Sequence, residues 1–205
     1  MKPLNRLPMS PRKIALAALS LIGLLFLAGC VVTSVYPYYT AKDVVFEPEL
    51  AGRWADPDKS DKPGATNEFW EFARAGTNVS YVLTIPDGDK RTAFQAHLFQ
   101  LKPWTFLDAV PVEKHDDFVP PHYLLKVAQV EPSLKMAALD YKWLGDLLEK
   151  HPSALRHIWV DATPGTPRSG RLVITADTAE LQKFIVKHAA DTNAFSEDMN
   201  LRRQR

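Results

Sequence analysis

Apolar and polar positions alternate along most of this chain. Val79, Tyr81, Leu83 and Ile85 are interleaved with Ser80, Val82 and Thr84, the two-residue period of a strand with one buried face. Asp87-Gly88 then gives a hairpin turn signal. The return run carries Phe94, Ala96 and Leu98 on one face, with Gln95 and His97 on the other. Residues 67–72, 105–110, 123–130, 134–139, 156–161 and 171–175 have the same length and β-rich character. About eight short strands at this spacing predict a mainly β fold, an antiparallel meander closed into a barrel or folded into a sandwich. Two segments switch to the helical period. Asp140 is placed to cap residues 141–150, where Leu144, Leu147 and Leu148 form a stripe that His151-Pro152 ends. Asp177, with Glu180 three positions on, opens a second helix whose Leu181, Phe184, Ile185 and His188 fall at i, i+3, i+4 and i+7. Both stripes are expected to pack on the sheet.

The N-terminus follows a different pattern. Lys2, Arg6, Arg12 and Lys13 precede a charge-free apolar run over residues 14–28. As a helix that run reaches about 22 Å, short of the roughly 30 Å hydrocarbon core of a bilayer, which suits a signal peptide better than a permanent span. It ends in Leu27-Ala28-Gly29-Cys30, at the only cysteine of the chain. These four positions resemble the lipobox of bacterial lipoproteins. The resemblance implies cleavage between Gly29 and Cys30, thioether attachment of diacylglycerol to Cys30, and acylation of the new amino terminus. Valine rather than aspartate at position 31 implies, by the same resemblance, an outer-membrane destination facing the periplasm. The expected organisation is a signal peptide (1–29), a lipidated tether (30–48) containing Tyr36-Pro37-Tyr38-Tyr39, a β-rich domain (49–197) and a basic C-terminal tail (198–205).

Composition narrows the function classes. One cysteine in 205 residues excludes an internal disulfide framework and any multi-thiolate metal site. With 46% hydrophobic and 24% charged residues, the chain has the make-up of a folded domain. All 24 acidic residues follow Cys30, so the processed chain is mildly acidic. That balance argues against a nucleic-acid binder, and Arg202, Arg203 and Arg205 are expected to form a solvated terminus.

Candidate chemistry is sparse. His115, Asp116, Asp117 and His122 form the densest group of imidazole and carboxylate donors, the ligand types that suit zinc or another divalent ion. Flanked by Pro111 and Pro120-Pro121, the group is read first as a solvated loop, and second as the centre of a metal-dependent periplasmic hydrolase. His97 is placed on the solvent face or edge of a strand, and His188 as a partly buried packing residue. The His-Glu-X-X-His, Gly-X-Ser-X-Gly and phosphate-loop signatures are absent, so no catalytic residue and no cofactor is assigned.

Gly52-Arg53-Trp54 resembles the Gly-X-Trp signature that opens the first strand of lipocalins. In that family the tryptophan plugs the closed end of a barrel whose open end takes a small apolar ligand. Residues 122–127, 140–144, 152–157 and 178–195 are also similar to a family of secreted or lipid-anchored bacterial proteins with no assigned activity. The expectation is a membrane-anchored envelope lipoprotein whose domain is a non-catalytic binding module for a small apolar ligand or an envelope component. The alternatives are the metal-dependent hydrolase and a structural or assembly lipoprotein that binds a protein partner.

Overall fold

The computed structural model describes residues 32–57, 69–76, 79–87, 90–113, 119–161, 163 and 170–204. Its strands are β1 (Thr33–Ser34), β2 (Gly52–Ala55), β3 (Phe69–Arg74), β4 (Tyr81–Asp87), β5 (Lys90–Leu101), β6 (Trp104–Pro111), β7 (Tyr123–Gln129), β8 (Ser133–Ala138), β9 (His157–Val160), β10 (Arg171–Ile174) and β11 (Glu197–Arg203). The helices are α1 (Tyr141–Lys150) and α2 (Thr178–His188). Strands β2 to β8 pair antiparallel, each with the next, and β11 lies between β8 and β2. The result is a closed eight-stranded antiparallel barrel with two helices, as the barrel form of the predicted meander requires. Strands β9 and β10 stay outside the ring and form a separate sheet with β1.

The two-residue period sorts the barrel wall. Inward positions are Trp54 of β2, Trp70 and Phe72 of β3, and Tyr81, Leu83 and Ile85 of β4. They continue as Phe94, Ala96 and Leu98 of β5, Leu107 and Ala109 of β6, Leu125 and Val127 of β7, Leu134 and Met136 of β8, and Leu201 of β11. A second apolar layer lies against the outer face of β5 to β8. There Phe99, Phe106, Leu124 and Ala137 meet Leu144 and Leu148 of α1, Leu172 and Ile174 of β10, and Leu181, Phe184 and Ile185 of α2. Each helix begins where its cap residue predicts. Asp140 accepts a hydrogen bond from the Trp143 amide at 2.6 Å, and Asp177 accepts one from the Glu180 amide at 3.0 Å. Lys126, on the outer face of β7, fixes the far end of α2 by donating to the Ala189 carbonyl at 2.9 Å.

Two boundaries differ from expectation. Residues 198–203 are no solvated tail but most of β11, which pairs with β8 from Glu197↔Ala138 to Arg202↔Ser133. Met199, Leu201 and Arg203 share its inner face, and two apolar residues among charged neighbours are too few to announce a strand. Residues 32–48 are no free tether either. Val32 and Tyr38 are buried, Thr33 pairs with Val173, and Val44 bridges to Phe99. Proline keeps this stretch extended, and its apolar side chains then seat it along the barrel wall.

Candidate functional site

One end of the barrel is sealed, and the seal explains the Gly-X-Trp sequence. A single 3-10 turn, Pro48–Leu50, crosses under the ring and buries Leu50. Trp54 is fully buried and donates its indole N–H to the Leu50 carbonyl at 2.9 Å, so its one polar atom is satisfied. Arg203 lies over the indole ring, 4.4 Å from its centroid. The same guanidinium donates to the Ala51 carbonyl at 2.9 Å, to the Glu49 carbonyl, and to the Glu131 carboxylate at 2.9 and 3.0 Å. The last barrel strand, the first one and the β7–β8 turn are thereby tied at one point. Gly52 has a φ of +136°, a backbone conformation that residues with a side chain rarely adopt, and it lies beside the Arg203 guanidinium. Tyr81 completes the seal: its hydroxyl donates to the Glu47 carbonyl at 2.9 Å and accepts from the Glu47 amide at 2.8 Å.

Above the seal the wall is apolar. One row of paired positions runs Tyr81, Ala96, Ala109 and Tyr123 across four strands. The two alanines sit side by side between aromatic residues, where neighbouring rows carry Leu83 and Phe94 or Leu98, Leu107 and Leu125. These two side chains reach less far into the lumen than their leucine and aromatic neighbours. Burial raises the Tyr123 pKa, which keeps its hydroxyl neutral in this lining.

A polar cluster lies on the outside of the same wall, under the N-terminal segment. Asp108 of β6 is fully buried and accepts from the Tyr38 amide at 3.0 Å and from His122 Nδ1 at 2.8 Å. A carboxylate only accepts, so the proton of His122 sits on Nδ1. His97 is the cross-strand partner of Asp108. Its Nδ1 lies 3.0 Å from the Tyr39 hydroxyl, and the two rings stack at 4.6 Å. Burial lowers the His97 pKa, opposed by the charge of Asp108, and the neighbouring His122 pushes it the same way as burial. Burial, then Asp108, pushes the Tyr39 pKa up to about 12. Burial also raises that of Tyr38, whose hydroxyl lies beside Ser34 without meeting hydrogen-bond geometry to any described residue. The cluster holds the segment after β1 onto the barrel.

A groove of about 550 Å³ opens on the far side, between α2 and the segment after α1. Leu147, Leu155 and Phe184 line it, with Lys183 and Lys187 at its rim. Arg156 there is already engaged by Glu180 at 2.7 Å and Asp177 at 2.8 Å. His188 packs as expected, with its ring 4.7 Å from Phe184 and 5.0 Å from Trp143.

Of the residues singled out from sequence, Gly29, Cys30, His115, Asp116 and Asp117 lie outside the described residues. His122 is described, and it belongs to the Asp108 cluster rather than to an exposed loop. Among the described residues, no three histidine, cysteine or acidic side chains converge as a metal site, and no helix is long and apolar enough to cross a membrane. Arg203, Asp108 and Tyr38 were not legible as site residues: the first lies in an apparent tail, the second inside a β-rich run, the third in an apparent tether. No protein-family model, no curated protein and no solved structure matches this chain.

Proposed function

We propose that this chain is a lipid-anchored protein of the bacterial envelope, attached at Cys30 to the outer membrane and facing the periplasm. Its barrel acts as a non-catalytic binding module for a small apolar ligand or an envelope component. The observation that carries the reading is a closed, apolar-lined barrel with a seal at one end. Trp54, Leu50, Tyr81 and Arg203 close one end with every polar atom paired, and the wall beyond them is lined by apolar side chains and thinned at Ala96 and Ala109. A closed barrel of eight strands has an interior on the scale of side chains or one small ligand. The lipobox supports the location, and the polar clusters of the described residues serve to hold chain segments in place.

Native mass spectrometry of residues 31–205, purified from a bacterial periplasm, tests the binding reading. The expected result is an added mass that disappears on organic extraction and is absent from the Ala109→Trp variant, whose indole fills the lumen there at a stability cost of about 1–3 kcal/mol. Apoprotein alone under gentle desorption, together with a large loss of stability in Ala109→Phe, would count against it, because a wall with room for a ligand takes the ring without strain. The anchor is tested separately: Cys30→Ala must leave unprocessed precursor that takes up no labelled palmitate.

A further inference from the structure

If Cys30 carries the lipid, only Val31 separates it from Val32, whose side chain is buried in the domain. Two residues of chain reach at most about 7 Å. From there the backbone is fixed on two sides. Thr33 pairs with Val173 of β10, and Ser34 and His122 exchange both backbone hydrogen bonds, at 3.0 and 2.9 Å. A domain attached in this way has no slack in which to swing, so the surface around β1 is the one that faces the bilayer.

That surface is also where exposed apolar side chains gather. The large hydrophobic residues exposed among the described ones are Tyr36, Val79, Val112, Val119, Ile158 and Val186. Val112 and Val119 lie in the β6–β7 connection, which returns to His122. Ile158 lies in the row Thr33–Val173–Ile158 of the small sheet, two strand spacings or about 10 Å from Thr33. Tyr36 follows Ser34 by two residues, and the Ser34 hydroxyl donates to its carbonyl at 2.8 Å. Only Val79, in the β3–β4 connection at the sealed end, and Val186, on α2, lie elsewhere. Exposed valines scattered singly need no explanation, but Tyr36 lies two residues past Ser34, Val119 three residues before His122, the bridge partner of Ser34, and Ile158 two strands from Thr33.

We propose that the surface around β1, with Val112, Val119 and Ile158 at its rim, is a membrane-contact face that rests on phospholipid headgroups. The proposal rests on the lipid-anchor reading of Cys30 and adds an orientation to it. The end of the barrel formed by the last residues of β4 and β6 and the first residues of β5 and β7 then lies toward the bilayer, and the Trp54 seal lies away from it. An apolar ligand would then pass between bilayer and lumen without crossing open water.

The test uses the full-length chain, processed in a bacterial host and reconstituted in phosphatidylethanolamine–phosphatidylglycerol vesicles. A thioether-linked Cys30 has no free thiol, so a cysteine introduced by Val119→Cys, Ile158→Cys, Val79→Cys or Val186→Cys is the only site for a fluorescent label. Nitroxide on the lipid headgroups is expected to quench labels at 119 and 158 about twofold or more above those at 79 and 186, the depth of an interfacial contact. Equal quenching at all four positions, with the acyl mass present on the protein, overturns the orientation and leaves the anchor standing. Label uptake by the chain with no added cysteine, or absence of the acyl mass, overturns the anchor and the orientation together.

Discussion

Strand β4 alternates along its whole length, with Tyr81, Leu83 and Ile85 buried and Val82 and Thr84 half-exposed, whereas β6 buries Phe106, Leu107, Asp108 and Ala109 in succession. Both belong to one ring and share its lumen. They differ in what covers the outside: water for β4, and the N-terminal segment, helices and small sheet for β6. The difference teaches that the period of a strand reports its surroundings and not only its conformation. A strand wet on one face writes alternation into the sequence, and one covered on both writes a continuous apolar run.

The comparison can be broken by paired substitutions read as unfolding free energies in urea. Phe106→Ala and Leu107→Ala are neighbours on opposite faces, and each is expected to cost about 3–4 kcal/mol, since each empties a packed layer. In β4 only the inward member of such a pair matters: Leu83→Ala costs about 3 kcal/mol and Val82→Ala under about 1 kcal/mol. A large loss at Val82 would mean that the outer face of β4 is covered too.

Asp108→Ala comes next, at about 3 kcal/mol. It removes the acceptor from two buried donors on the covered side, the Tyr38 amide and His122 Nδ1. On the wet side the Arg53–Glu71 pair is solvent-exposed, and Glu71→Ala is expected to change stability by less than about 0.5 kcal/mol. Arg203→Ala is intermediate, at about 2 kcal/mol, because it uncovers Trp54 and frees the Glu49 and Ala51 carbonyls. Arg202→Ala in the same strand serves as its neutral reference.

The smallest effect is pH-dependent. Burial is the first cause that lowers the pKa of both His97 and His188 on the covered side. A histidine that resists protonation when folded binds more protons when unfolded. Its stabilising contribution is therefore complete above the ordinary imidazole value and is lost as pH falls through that value toward the folded one. The urea midpoint should drop as pH is lowered from about 7 to about 5, and the drop should be smaller in His97→Gln. An unchanged drop would place the titration elsewhere.

The same contrast decides what was legible in the sequence. Strands β3 to β8, β9 and β10 and both helices stand within a few residues of their predicted places, because alternation, turn residues and cap residues each have a local cause. Gly52 and Trp54 stood out as a pair only through the resemblance to the lipocalin signature. What was missed depends on distant partners. Arg203 is a surface arginine by every local measure until β11 carries it over Trp54. Tyr38 reads as part of a tether until Asp108 captures its amide. Asp108 is hidden by its position among apolar neighbours, where a lone acid in a strand gives no sign of which donors will meet it.

Closure by β11 also sets an order of events for the folding chain. The ring is complete only when Arg202 and Arg203 reach Ala55 and Trp54, partners from opposite ends of the described sequence. Until then β2 and β8 present unpaired edges, which are templates for pairing with other chains. Contacts of such long sequence separation form slowly. A molecule emerging amino end first therefore stays open-sided until its last strand arrives. Shortening the chain by a single strand would leave a sheet with two sticky rims rather than a slightly smaller barrel.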